Sequence, residues 1–452
     1  MTRMQAFRRS AVVIAAGLVV GAVSCASVDE LLEAENPGAI NEAQLNDAAL
    51  INVLTNSVVG AITNIFHDPL IWRGSMITDE QISGINWEGT ARISQRILPY
   101  TAGDANAMFG GLSRYRYMAD SVASRFRTLL QQPTRDRNMA LVLAHAGYAY
   151  TLMAEYVCEA TINVGDKIYT PRELVDLAIP RFEEAITVAT AVGTSSDDIR
   201  NLARTGLARA ALLKGDKAKV MSAAGAVPQT FTWWIQYLDQ VADNGMQGNV
   251  TGANHNLGVH PRWVNGTFGT QNLRAAQTDP RIQHNVNWRL GHNALTRLYT
   301  PYQSLPYGEF NRSVTIAAGG TPALYDDDTD IKFASGVEAM HHYYEAAGPT
   351  GTGPMGTTLE FVNSRRAFGN QTAVTLTGDA LMSELRTQRF KDMFMGGFRL
   401  GDLRRYAAQG INDPLHTFPS GQHPNVEWGN YGDATCWPLP LNEFVGNPNI
   451  RR

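Results

Sequence analysis

The stretch HHYYE, residues 341–345, puts His341 and Glu345 one helical turn apart, a spacing that two metal ligands can share. Zinc needs three or four ligands, and no HExxH accompanies the pair, so a helix surface with a mixed polar face is the reading. The run Asp326-Asp327-Asp328-Thr329-Asp330 offers oxygens to calcium. An EF-hand loop needs Gly at its sixth place and Glu at its twelfth, where Ile331 and Val337 stand, so a solvated acidic loop is expected instead. Gly-x-Ser-x-Gly, the P-loop and CxxC are absent. Carboxylates are so plentiful that a glycosidase pair chosen from them carries no information. These residues point away from catalysis and imply no metal and no cofactor.

The cysteines say more about place than about chemistry. Residues 1–10 carry Arg3, Arg8 and Arg9 and no acid, and an apolar run follows from Ala11 to Val23. That is the pattern of a secretory signal, too short for the roughly 20 apolar residues of a membrane span. Ala22 and Ser24 precede Cys25, which resembles a bacterial lipobox with Ala22 where Leu is usual. Cys25 is then the lipid attachment point, or cleavage falls nearby and Cys25 is incidental. No later segment is expected to span a membrane. Cys158 and Cys436 remain, as one long-range disulfide or as two buried thiols. The 452 residues carry a formal charge of −4. Without the three leader arginines the rest carries −7, which argues against a nucleic-acid partner.

The elements that would position a site are mostly helical. Helical periodicity covers 45–66, 134–160, 170–192, 197–216 and 217–227. Thr170, Pro171 and Glu173 form a helix-start pattern with a capping box, and Gly215 is a helix stop. Small residues such as Gly147 and Gly206 permit close crossings, so tandem helical hairpins of tetratricopeptide type are expected at about 134–227. Helix returns at about 333–410. Residues 67–100 and 231–310 have weak periodicity and many Trp, and are read as irregular excursions on the surface, with Trp233-Trp234 nearer the core. Residues 346–358, rich in Gly, Pro and Thr, read as a linker between helices. The organisation expected is a leader at 1–24, a lipidated tether at 25–44 and one domain at 45–452.

The last helices carry motifs in a telling order. Arg386, Arg389 and Asp392-Met393 are followed by Gly396-Gly397-Phe398-Arg399 and Asp402-Leu403-Arg404-Arg405. Pro438, Pro440, Glu443 and Asn447-Pro448-Asn449 come next, while Asp279-Pro280-Arg281 and Asn363-Ser364-Arg365-Arg366 lie upstream. This order resembles the SusD/RagB family of outer-membrane nutrient-binding lipoproteins, with Gly396 where Glu is usual. The resemblance implies a mainly α fold, a tetratricopeptide-like scaffold with long irregular insertions. It also implies a lipid-anchored, non-catalytic protein, facing the cell surface, that captures an oligosaccharide, or a peptide in some relatives, for a SusC-like TonB-dependent transporter. Surface hydrolysis and a purely structural scaffold are the rival classes. A pyranose ring stacks an apolar face on an aromatic ring, and its hydroxyls take amide, carboxylate and guanidinium partners. The excursions supply Trp72, Trp87, Trp263, Trp288, Tyr302 and Tyr307 as candidate platforms, with Arg73, Asp79, Asn86 and Asn287 as polar partners. Arg399 and Asp402, three apart, are expected to pair within their helix and to serve packing.

Overall fold

The structure, a computed structural model, describes residues 44–238, 241–251, 256–264, 279–282, 289–291, 293–298, 325 and 328–450. The leader, Cys25 and nearly all of the tether lie outside the described residues. The chain divides into units Met1–Leu50 and Ile51–Arg452. In the first, the described residues form two single turns, Gln44–Asn46 and Ala48–Leu50. The second carries the fold.

Its first half is a run of helices: α1 (Ile51–Ile65), α2 (Glu88–Ser94), α3 (Gly103–Leu129), α4 (Arg137–Tyr156), α5 (Pro171–Val192), α6 (Asp197–Lys214) and α7 (Lys217–Ala224). From α3 onward each helix packs on the next in sequence. Local chemistry sets the ends. Asp136 accepts from the amides of Asn138 and Met139 at the start of α4. Thr170 and Glu173 form the capping box of α5, with Pro171 in its first turn. Gly215 takes the left-handed conformation (φ 84°) that closes α6. The hairpins pack closely because two crossings lack a side chain. A Cβ on Gly206 would lie 2.3 Å from the Phe182 ring, and one on Gly147 would lie 2.7 Å from it. Phe182 in turn meets Tyr148 edge-on, with centroids 5.1 Å apart.

The second half returns to this scaffold. Strand β1 (Gln81–Ser83) pairs antiparallel with β3 (Leu257–Val259), and β2 (Thr232–Ile235) pairs antiparallel with β4 (Ile331–Ser335). A register shift between Trp233 and Trp234 leaves both half-buried on β2. Strand β4 drives Phe333 into the helical core, against Tyr148 at 4.5 Å and Phe66 at 5.2 Å. Then come α8 (Gly336–Ala347), α9 (Thr358–Phe368), α10 (Gly378–Asp392), α11 (Arg399–Ala408) and α12 (Leu441–Gly446). The Gly-rich linker before α9 is a short hairpin, Thr352–Gly353 against Gly356–Thr357. Its last residue, Thr357, forms a capping box with Glu360. A disulfide joins Cys158 to Cys436, 278 residues apart, beside the Cys158 amide bond to the Trp437 carbonyl at 2.8 Å.

One expectation needs correction. Residues 67–100 are a surface excursion only in part, since Pro69–Ile85 are buried almost throughout while residues 86–89 are exposed. The run Ala48–Met76 also has the length and mean hydropathy, 1.5, of a membrane span. Its backbone leaves helical geometry at Asp68 (φ −146°, ψ 119°). Leu54, Val58, Ile62 and Phe66 are sealed in the core, while Asn52, Asn56 and Ser57 face water, the pattern of an amphipathic core helix.

Candidate functional site

Buried charge fixes the segment that was expected to carry ligand contacts. Asp79 is fully buried and accepts from Arg399 Nε at 2.7 Å, Arg399 Nη2 at 2.8 Å and Arg262 Nη1 at 2.7 Å. Burial pushes its carboxyl up, but the Arg399 and Arg262 guanidiniums outweigh that and hold it well below the usual carboxylate range. Asp79 therefore presents no oxygen to a sugar. Arg73 is likewise committed, to Asp68 and to Asp104 at 2.7 Å, and it stacks over Trp72 at 4.7 Å. Trp72 is buried among these partners. Trp263 is buried as well, stacked on Phe390 with centroids 4.0 Å apart. Trp72, Trp263, Asp79 and Arg73 are thus corrected from ligand contacts to internal props: large rings are cheaper under a loop than in water. Trp288, Asn287, Tyr302 and Tyr307 lie outside the described residues.

The same ionic system runs on through the C-terminal helices. Arg399 does not pair with Asp402, because Asp79 takes it. Asp402 instead accepts from Arg389 and Arg405, each at 2.7 Å. Asp392 accepts from Arg281 and Arg365 at 2.8 Å and faces His341 Nε2 at 2.7 Å. His341, expected on a helix surface, is inside, and burial lowers it to about 4, so it stays neutral. Glu345, its neighbour one turn on, pairs with Arg405. Among the described residues no three His, Cys, Asp or Glu are placed to hold a metal ion. Glu80 is pushed up to about 8 and Glu338 to about 7, both by burial. Glu80 accepts the Met395 amide at 2.5 Å. Such acids suit proton transfer only where substrate reaches them, and both are sealed from solvent.

What reaches the surface is a different set. Trp87 is 62% exposed at the N-terminus of α2, with Asn86 exposed beside it. Gly84, three residues earlier, lets the strand pair Arg289–Leu290 and Arg297–Leu298 press in: a Cβ on Gly84 would lie 2.8 Å from the Gly291 backbone, and the Asn293 amide donates to the Gly84 carbonyl at 2.8 Å. The far end of α2 meets a loop that sequence reasoning missed. Ser94 Oγ lies 3.4 Å from His423 Nε2, and the His423 ring packs on Trp428 at 4.9 Å and on Tyr431 at 4.7 Å. Tyr431 also meets His260 at 3.0 Å. Trp428 and Tyr431 are half-buried. The seven residues of α2 rise about 10 Å, so Trp87 and this loop flank one short helix. The usable signal was HPNVEWGNYG itself, a Trp and a Tyr in a Gly- and Asn-rich loop. The result is an exposed Trp and Asn at one end of α2 and a half-buried Trp and Tyr at the other.

Solved structures share this architecture. A SusD superfamily protein from Bacteroides vulgatus ATCC 8482 superimposes with a TM-score of 0.61 over 89% of this chain and 98% of its own, at 12% identity. The chain has a SusD-like fold. A SusD-like protein from Bacteroides fragilis NCTC 9343 matches with a TM-score of 0.63 at 13% identity, covering 91% of this chain and 98% of that one. A protein of the same organism, described as SusD-like carbohydrate binding, matches at 0.61 and 14% identity over 90% and 99%. No family model and no curated protein sequence matches the chain. The SusD-like fold is mainly α, and here the tetratricopeptide-like scaffold is α3–α7 with α8 packed on its end.

Proposed function

We propose that this protein is a lipoprotein anchored through Cys25 to the bacterial outer membrane and facing the cell surface. There it captures an oligosaccharide and delivers it, unreacted, to a SusC-like TonB-dependent transporter. The SusD-like fold over about nine-tenths of the chain carries this reading, since a protein of that fold is described as carbohydrate binding. The exposed Trp87–Asn86 corner, with Trp428 and Tyr431 at the other end of α2, supports it as the place where sugar stacks. The engagement of Asp79, Asp392 and Asp402 by arginines speaks for a frame rather than a reaction centre.

The test is a glycan-array and peptide-pool screen on the chain beyond residue 25, with Trp87→Ala and Trp428→Ala beside it. Expected is binding to one glycan class without product release. Each Trp loss weakens it about three- to tenfold, the worth of one stacked ring. Peptide binding alone would replace the sugar; product release would make the protein a hydrolase. Glycan binding indifferent to both variants would move the site elsewhere.

A further inference from the structure

Two adjoining cavities open where the helical hairpins meet the C-terminal helices, away from the aromatic corner. One, of about 450 Å³, lies between the end of α4, the start of α5, the end of α6 and α11, with Arg172, Lys214 and Arg404 in its wall. The second, of about 420 Å³, continues past Leu212, Gly215 and Gln409, which line both, to Lys217, Met382 and Arg386. Each is of the size that holds a small ligand. Their charges do not balance. The two carboxylates in the walls are Glu155 and Glu345, and each is already engaged, by Arg209 at 2.6 Å and by Arg405. Lys214 pairs with Asp176 at 2.6 Å. Among the described residues Arg172, Lys217, Arg386 and Arg404 form no close ion pair with a carboxylate, although Arg386 helps lower the Asp413 carboxyl from longer range and Arg172 and Lys217 are exposed at the cavity rims.

The negative ends of helices do not absorb this excess. Arg404 gives only Nη1 to the end of α4, donating to the carbonyls of Ala154, Glu155 and Val157 at 2.7–3.0 Å. Among the described residues its Nε and Nη2 have no hydrogen-bond partner. Burial with only Glu155 to oppose it lowers the Arg404 guanidinium to about 10. Arg386 Nε is sealed inside the protein and, among the described residues, has no hydrogen-bond partner, which leaves only the terminal guanidinium nitrogens to meet a ligand. The end of α6 is closed by its own Gly215 turn. A guanidinium with idle donors in an apolar-walled cavity is costly unless an anion completes it.

We infer that this two-chambered cavity is a binding site for a small organic acid, whose carboxylate meets Arg404 and Arg172 in one chamber or Arg386 and Lys217 in the other, a polycarboxylate reaching both. This goes beyond glycan capture and does not depend on it. An acidic sugar and a simple polycarboxylate share the required chemistry. The test is calorimetric titration of the full chain, in detergent and at low salt, with glucuronate, citrate and, as neutral control, glucose. At least one acid is expected to bind saturably where glucose does not. Tighter glucuronate would identify an acidic sugar as the source, and tighter citrate a polycarboxylate. The double variant Arg172→Gln/Arg386→Gln, which leaves the Arg404 cap of α4 intact, should weaken that binding at least about tenfold, and Trp87→Ala should not change it. No binding of either acid would overturn the inference. So would binding that survives the double variant, or that Trp87→Ala abolishes.

Discussion

Asp79→Asn tests whether buried charge holds the β1 segment in place. The substitution keeps the side-chain volume, so no cavity contributes. It leaves Arg399, whose side chain is 2% exposed, without its carboxylate, and removes the partner of Arg262. Removing one member of a buried ion pair costs about 3–5 kcal/mol, because the remaining charge stays desolvated. The assay is urea unfolding, read as a lower midpoint at unchanged slope. Adding Arg399→Met should recover most of the loss, since the stranded charge is then gone. The pH dependence has a definite sign. The folded Asp79 carboxyl is held below its unfolded value, so the pair stabilises fully above about pH 4 and loses that contribution as pH falls toward the folded value. The gap between wild type and variant should therefore narrow in acid. A gap under about 1 kcal/mol at pH 7, or one that stays constant on acidification, would refute the reasoning.

Other perturbations probe packing and the second buried acid. Gly206→Ala would press a methyl to 2.3 Å from the Phe182 ring and 2.9 Å from Tyr148, and should cost about 1–3 kcal/mol, seen as a lower melting temperature. An unchanged melting temperature would mean that the α5–α6 crossing can spread. Burial raises folded Glu80 to about 8, so the folded state binds the extra proton and wild-type stability falls as pH rises from about 4.5 to about 8. Glu80→Gln cannot ionise, so it should gain on wild type between melts at pH 5 and pH 9. Equal differences at both would contradict the burial argument.

Local signals in the sequence were good guides to local structure. The capping residues at Thr170 and Glu173, the stop at Gly215 and the small residues at the crossings all act over a few positions, and the helices of the scaffold follow them. Charge partners were another matter. Asp79 and Arg399 are 320 positions apart, and nothing in the periodicity of 67–100 reports a partner at that distance. The same remoteness misled the Arg399–Asp402 pairing, where helical spacing was right and a better-placed carboxylate won. Trp content alone could not separate Trp72 and Trp263, buried under their neighbours, from Trp87, left in water.

The Cys158–Cys436 bond turns the polypeptide between them into a covalent ring that contains α5 to α11 and the long Asn- and Gly-rich stretches. A protease that cuts once anywhere inside this ring cannot release a fragment. The nicked molecule stays one covalent piece, held also by the helical contacts on either side of the cut. Only a second cut, or a reductant, lets a piece leave. This closure makes a single cut between residues 158 and 436 survivable.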